Sequence, residues 1–168
     1  MSWILAAALS MSVFTAPVFA DSENYVISTP QELAALAGKE ITGSIKLSSD
    51  IDMSGIQMQP IASFDGEFNG DGYKISNLTI SAETSEGYMS SGAGLFAQFS
   101  GTASNVVFEN PAVTLEKGNQ TGVAVLAGLI PSGKSIEIKN CGVVGGYVNV
   151  ESQKTTYEGA FIGNIINA

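Results

Sequence analysis

The chain contains no histidine and no arginine, one cysteine (Cys141) and one tryptophan (Trp3). Without histidine it can build neither a Ser-His-Asp triad nor a His-Glu-x-x-His zinc site. One cysteine allows no internal disulfide and no thiolate zinc cluster. Positive charge is also scarce: 7 lysines stand against 16 acids, a formal charge of -9. That balance excludes phosphate neutralisation of a nucleic acid and disfavours an anionic membrane surface. Long apolar runs are missing as well. The run from Trp3 to Phe14 matches the core of a signal peptide and is too short to span a bilayer. Val18-Phe19-Ala20 follows as a cleavage site, so residues 1–20 read as an export signal, although no Lys or Arg precedes the apolar run.

What the chain has is glycine, 19 residues of it, and a hydrophobic fraction of 45%, enough for a core with many turns. One short helix is legible. Thr29 can cap it, Pro30 suits its first position and Glu32 completes a capping box; Leu33, Leu36 and Ala37 share a face, and Gly38 stops it. After residue 38 helical periodicity ends. Ile41 to Met53 alternates apolar and polar residues as a strand does.

The central stretch runs from Phe64 to Ile80, a strand, a turn at Asn69-Gly70-Asp71-Gly72 and a second strand. Its last six residues, Ile75-Ser76-Asn77-Leu78-Thr79-Ile80, are echoed by Ala103 to Phe108 and by Ile138 to Val143. A second element also recurs: Gly92 to Ala97, Gly122 to Gly128 and Gly159 to Gly163 are glycine-rich and apolar. Ser100-Gly101 and Ser132-Gly133 read as turns between the two elements, with variable polar loops at 81–91, 118–120 and 151–157. Ordered recurrence of two elements fits stacked coils better than an antiparallel barrel or sandwich. The expected fold is all-β, a right-handed parallel β-helix (a solenoid) with a short N-terminal capping helix. The domains are a signal peptide at 1–20, a cap at 21–40 and a β-helix repeat domain at 41–168, incomplete at its C-terminal side.

In that fold Asn77, Asn105 and Asn140 stack as a hydrogen-bonded ladder at one bend. Gly70, Gly72, Gly94, Gly128 and Gly163 serve as structural turns. Cys141 aligns with Leu78 and Val106 and reads as a small buried hydrophobe.

Phe64 to Gly72 followed by Ile75-Ser76-Asn77-Leu78, together with Asp50 to Gly55 upstream, resembles bacterial cell-surface proteins carrying GLUG repeats. Gly94-Leu95-Phe96-Ala97 and Val125-Leu126-Ala127-Gly128 resemble the repeat itself, with Gln98 departing from it where glycine is preferred. The resemblance covers roughly residues 25 to 165. It implies an exported, adhesin-like parallel β-helix at the cell surface, and it implies no catalytic residues and no cofactor.

Other chemistry is available to fewer residues. Asp50, Asp52 and Asp65 are the acids on which a β-helix carbohydrate-active enzyme would rely. Asp65 to Gly70 imitates the start of an EF-hand loop, but Ser76 stands where the bidentate Glu belongs. Asn77-Leu78-Thr79 and Asn119-Gln120-Thr121 match the glycosylation triplet. Tyr73, Tyr88, Tyr147 and Tyr157 are candidates for a sugar-stacking face. The reading is a non-enzymatic surface scaffold presenting loops to a host matrix or glycan. The alternatives are the carbohydrate-active enzyme and the N-terminal stalk of a larger surface protein such as a protease. The glycine-rich strand from Gly159 onward would leave a bare coil, so the expectation is either that the coding sequence continues beyond Ala168 or that the protein self-associates through the C-terminal coil.

Overall fold

The computed structural model describes residues 22–83, 92–117, 121–151 and 156–166. The export signal at 1–20, the loop residues 84–91 with Tyr88, 118–120 with Asn119, 152–155, and the final residues 167–168 lie outside the described residues.

The chain enters through β1 (Glu23–Ile27) and the helix α1 (Pro30–Ala34). α1 has the expected capping box: Glu32 N–H donates to the Thr29 hydroxyl at 3.2 Å, and the Thr29 N–H donates to the Glu32 carboxylate at 3.0 Å. Two turns are too few for a helix to stand alone. Leu33 and Leu36, on one face, are both buried in the common core.

From there the strands come in sets. The first is β2 (Glu40–Leu47), β3 (Ile51–Asp52) and β4 (Gln57–Met58); the next is β5 (Ile61–Asn69), β6 (Lys74–Ser76) and β7 (Thr79–Glu83). Then follow β8 (Phe96–Ser104), β9 (Val107–Glu109) and β10 (Ala112–Lys117). The remaining strands are β11 (Thr121–Ala124), β12 (Ala127–Ile130), β13 (Ile136–Lys139), β14 (Gly142–Val144), β15 (Tyr147–Val150), β16 (Thr156–Gly159) and β17 (Ile162–Ile165). The run expected as one strand from Ile41 to Met53 is therefore β2 and β3, broken at Ser48-Ser49-Asp50.

Every registered pairing is parallel, and equivalent strands of successive sets lie side by side in four sheets. The longest sheet runs β1-β2-β5-β8-β12-β17, with β13 also on β8. Two four-stranded sheets, β3-β6-β9-β14 and β4-β7-β10-β15, and the pair β11-β16 complete the fold. The chain is all-β with parallel sheets, an arrangement compatible with a β-helix.

The register explains the core. Side chains alternate across a strand, so partners in adjacent parallel strands fall on the same face. Ile51, Ile75 and Phe108 form one inward column; Met58, Ile80 and Val113 form another. Ile45, Phe68 and Ala103 form a third. All nine are essentially excluded from solvent, and each large one contributes about 1.5–3 kcal/mol of burial. Phe64 and Phe99 stack at 5.7 Å, and Phe96 contacts both at 4.8 and 5.2 Å to complete a triangle of rings within the apolar columns.

Three glycines mark a tight column in the longest sheet: Gly43, Gly66 and Gly101 are register partners. A Cβ on Gly66 would overlap the Gly43 carbonyl oxygen, and one on Gly101 would overlap that of Gly66. Ser100-Gly101, expected as a turn, thus lies inside β8, where small size is needed for close approach. Of the expected turn glycines, Gly72 has the left-handed backbone of a turn (φ 88°). Gly94 sits in a bend against the Ala124 carbonyl. Gly70 ends β5 with no room for a Cβ beside Val106, while Gly128 and Gly163 lie within β12 and β17. For these three the requirement is space, not backbone conformation.

The asparagine ladder is corrected in the same way. Asn105 and Asn140 do stack, Asn140 Nδ2 donating to Asn105 Oδ1 at 3.2 Å, and their φ values are 54° and 51°. Asn77 belongs to another bend. Because β6 pairs Ser76 with Glu109, the residue after it meets Asn110, which shares its left-handed backbone (φ 55° and 49°). Below Asn105 the chain offers Gly70 and, through a 3.4 Å bond from Asn105 Nδ2, the side chain of Asn69. Cys141 follows the Asn140 bend beside Val106, half-buried against the core.

Candidate binding groove

The register of the longest sheet changes between β8 and β12. Residues 61 and 96, 101 and 136, and 127 and 162 are partners at a constant spacing of 35, but Phe96 pairs with Ala127, only 31 away. The difference is a four-residue excursion, 132–135, between β12 and β13. Pro131 leads into it, and a turn at Ser132-Gly133 (Gly133 φ 70°) swings it outward. Excursions from a repeat are where binding surfaces are commonly placed.

The excursion carries Lys134 back across β8 to β5. Its Nζ meets Asp65 Oδ2 at 2.7 Å, both side chains about half exposed. The Lys134 ammonium and then the Ser100 hydroxyl hold the Asp65 carboxyl below its usual range. Between this strap and the sheet lies a groove of about 280 Å³. Its polar lining is Thr42, Ser63, Asp65, Gln98, Ser100 and Lys134; Ile41, Phe64, Phe99 and Pro131 complete it. Phe64 and Phe99 are buried in the core, so they offer backbone and not a ring face to anything in the groove. Hydroxyl, amide, carboxylate and ammonium groups in one open cleft suit a polar, hydroxyl-rich ligand held by hydrogen bonds.

The other acids are engaged elsewhere. Asp52 Oδ1 accepts from Asn77 Nδ2 at 2.9 Å, Ser54 Oγ at 2.7 Å and the Ser54 N–H at 3.0 Å. The Asn77 amide, then Ser54, lower the pKa of Asp52. Asp50 accepts the Lys74 N–H at 3.0 Å, and Lys74 Nζ pairs with Glu109 at 3.0 Å, which raises the lysine pKa. Asp50 and Asp52 therefore organise the bend around β3, while Asp65 lies on the longest sheet; the three are not gathered into one site. The EF-hand-like loop is likewise spent on structure, with Asp71 paired to Lys46 at 3.1 Å and its N–H bonded to Asn69 Oδ1 at 2.8 Å. Among the described residues no group of three or more acids, histidines or cysteines could hold a metal ion.

Asn77 is a poor glycan acceptor, since its amide donates to Asp52 and Ser54. Tyr73, Tyr147 and Tyr157 are exposed on different strands and turns and line no common cleft with the groove. Lys134 was not singled out by the sequence, and Gln98 only as a departure from the repeat, not as a lining residue. The sole signal for Lys134 is the change of spacing from 35 to 31, visible once the strands are paired.

No protein-family model matches the chain, and no solved structure matches it. Among curated proteins it is similar to halomucin of Haloquadratum walsbyi, 30% identical over 133 residues. That alignment takes in 73% of this chain, and the chain spans 1% of halomucin's length. No helix among the described residues is long and apolar enough to cross a membrane.

Proposed function

We propose that the chain is an exported, non-enzymatic scaffold of the cell surface, adhesin-like, built as a right-handed parallel β-helix of GLUG-type repeats. Its α1 would close one end of the spiral and its excursions would contact a glycan or a host matrix. The observation that carries this reading is the column register: residues about 35 apart in sequence sit side by side through successive sets of parallel strands. Such a stack buries its core in columns and leaves its outer face free for polar display. The groove beneath Lys134 is the contact surface in this reading, because it joins an excursion to outward-facing polar side chains.

An array of glycans and matrix proteins, probed with the folded chain, tests it. The expected result is binding to a hydroxyl-rich ligand that Ser63→Arg, which fills the groove, weakens at least about tenfold. An array with no binder overturns it. So does turnover of a polysaccharide that Asp65→Asn abolishes, which would favour the carbohydrate-active alternative.

A further inference from the structure

Three adjacent strands lay out the floor of the groove as a grid. Ile41, Phe64 and Phe99 are register partners on β2, β5 and β8, and all three are buried. The residues on either side of an inward residue point the other way. Thr42, Asp65 and Ser100 therefore form one row across the strands, and Ser63 and Gln98 lie in the row two positions earlier. Rows of this kind place polar groups roughly 5 Å apart across the strands and roughly 7 Å apart along them, the span of a single sugar ring. At about 280 Å³ the groove falls just under the range for drug-sized ligands, which leaves room for one or two rings.

Charge narrows the ligand further. Among the lining residues Asp65 and Lys134 carry the charges, and at 2.7 Å they neutralise one another. An anionic ligand would have to draw Lys134 away and leave the Asp65 carboxylate unpaired, on a chain of formal charge -9. A cationic ligand meets a carboxylate already paired with an ammonium tethered beside it. An uncharged hydroxyl needs neither exchange. It can donate to a carboxylate or accept from an ammonium, and both bonds are charge-assisted. A peptide strand has less to hold: β5 is paired on both edges, to β2 and β8, and Phe64 and Phe99 turn inward, so neither a backbone edge nor an apolar pocket is offered there.

We propose that the groove holds one uncharged hexose unit, edge-on, with adjacent ring hydroxyls shared between Asp65 and Lys134, and that this ion pair selects neutral sugars over acidic ones. Because the rings of Phe64 and Phe99 are buried, hydroxyl bonding and not face stacking supplies the contact. The inference rests on the groove being the contact surface and adds the class of sugar that it takes.

Saturation-transfer NMR titrations of the full chain decide it, with circular dichroism to verify the fold of each variant. The neutral probes are the methyl glycosides of glucose, galactose and mannose; the acidic probes are methyl glucuronide and methyl galacturonide. At least one neutral probe should bind at least about tenfold more tightly than either acidic one. Asp65→Asn uncovers the Lys134 charge and should shift the ratio of acidic to neutral binding about tenfold toward the acidic probe. Lys134→Gln should weaken neutral and acidic probes alike and leave the ratio on the neutral side. Both side chains are about half exposed, so neither change threatens the core. A wild type that prefers the acidic probes, or a ratio that Asp65→Asn does not move, overturns the proposal while leaving the groove as a glycan surface. An array ligand weakened by Ser63→Arg, with no methyl glycoside bound, overturns the proposal alone. A chain that binds nothing on the array overturns this proposal and the wider reading together.

Discussion

Asn140 donates from Nδ2 to Oδ1 of Asn105 at 3.2 Å although 35 residues of sequence separate them. Asn105 passes the same bond on to Asn69 at 3.4 Å, and both Asn105 and Asn140 hold a left-handed backbone. Asparagine is selected here twice over, for its tolerance of that backbone and for an amide that both donates and accepts. Asn105→Ala should therefore cost about 2 kcal/mol, the sum of backbone strain and lost amide bonds. Asn105→Gly should cost roughly half as much, because only the amide is lost. Urea unfolding of the two variants separates these contributions; equal losses would contradict the assignment.

Two glycines give opposite expectations. A Cβ at Gly66 would strike the Gly43 carbonyl oxygen, whereas one at Gly133 meets nothing within 4 Å and only its φ of 70° is unfavourable. Gly66→Ala forces adjacent strands apart and should destabilise by about 3 kcal/mol. Gly133→Ala should cost about 1 kcal/mol. Thermal unfolding ranks them; the reverse order would refute close approach as the reason for the glycine column.

Acid should loosen the bend at β3. The Asp52 carboxylate accepts the Asn77 amide and two Ser54 donors, so its pKa in the folded chain lies below that in the unfolded chain. Its stabilisation is then fully present above the unfolded value and disappears as pH falls through the folded one. Glu32, held down by the Ser28 N–H and hydroxyl and by Thr29, acts in the same direction. The stability gap between wild type and Asp52→Asn should be widest near neutral pH and should shrink toward about pH 3. A gap constant with pH would mean that the charge contributes nothing.

Position along a column should set the cost of a cavity. Phe108→Ala, within the stack, should cost about 3–5 kcal/mol. Val143→Ala, partly buried on the next strand of that column, should cost less than about 1.5 kcal/mol. Equal penalties would place the two in equally closed surroundings, contrary to their burial.

The ordered recurrence of the asparagine-bearing and glycine-rich elements was enough to expect parallel strands, because equivalent strands of successive repeats lie side by side. The asparagines misled for a physical reason. Ser76-Asn77-Leu78 and Ser104-Asn105-Val106 look alike because each bend needs a left-handed residue, and asparagine answers that need at either bend. Local composition reports the backbone conformation without saying which bend between strands it occupies. The turn Asp71-Gly72-Tyr73 also lengthens one link of the chain, which changes the Asn77 to Asn110 spacing to 33 and hides the alignment. The groove was less legible still. Lys134 and Asp65 are 69 residues apart, and nothing local to either side chain announces the other. Gly128 and Gly163 carried the right signal, but glycine in a sequence does not distinguish a turn from a strand with no room for a Cβ.

Intramolecular cross-linking of paired cysteines tests the stacked register most directly, with Cys141→Ser as the background. Glu67→Cys with Thr102→Cys places thiols on partner residues of β5 and β8, and a short bismaleimide should join them at protein concentrations too low for association. Asn77→Cys with Asn105→Cys, closer in sequence but at different bends, should stay unlinked. Linkage of the second pair and not the first would contradict the register on which the fold and the groove both depend.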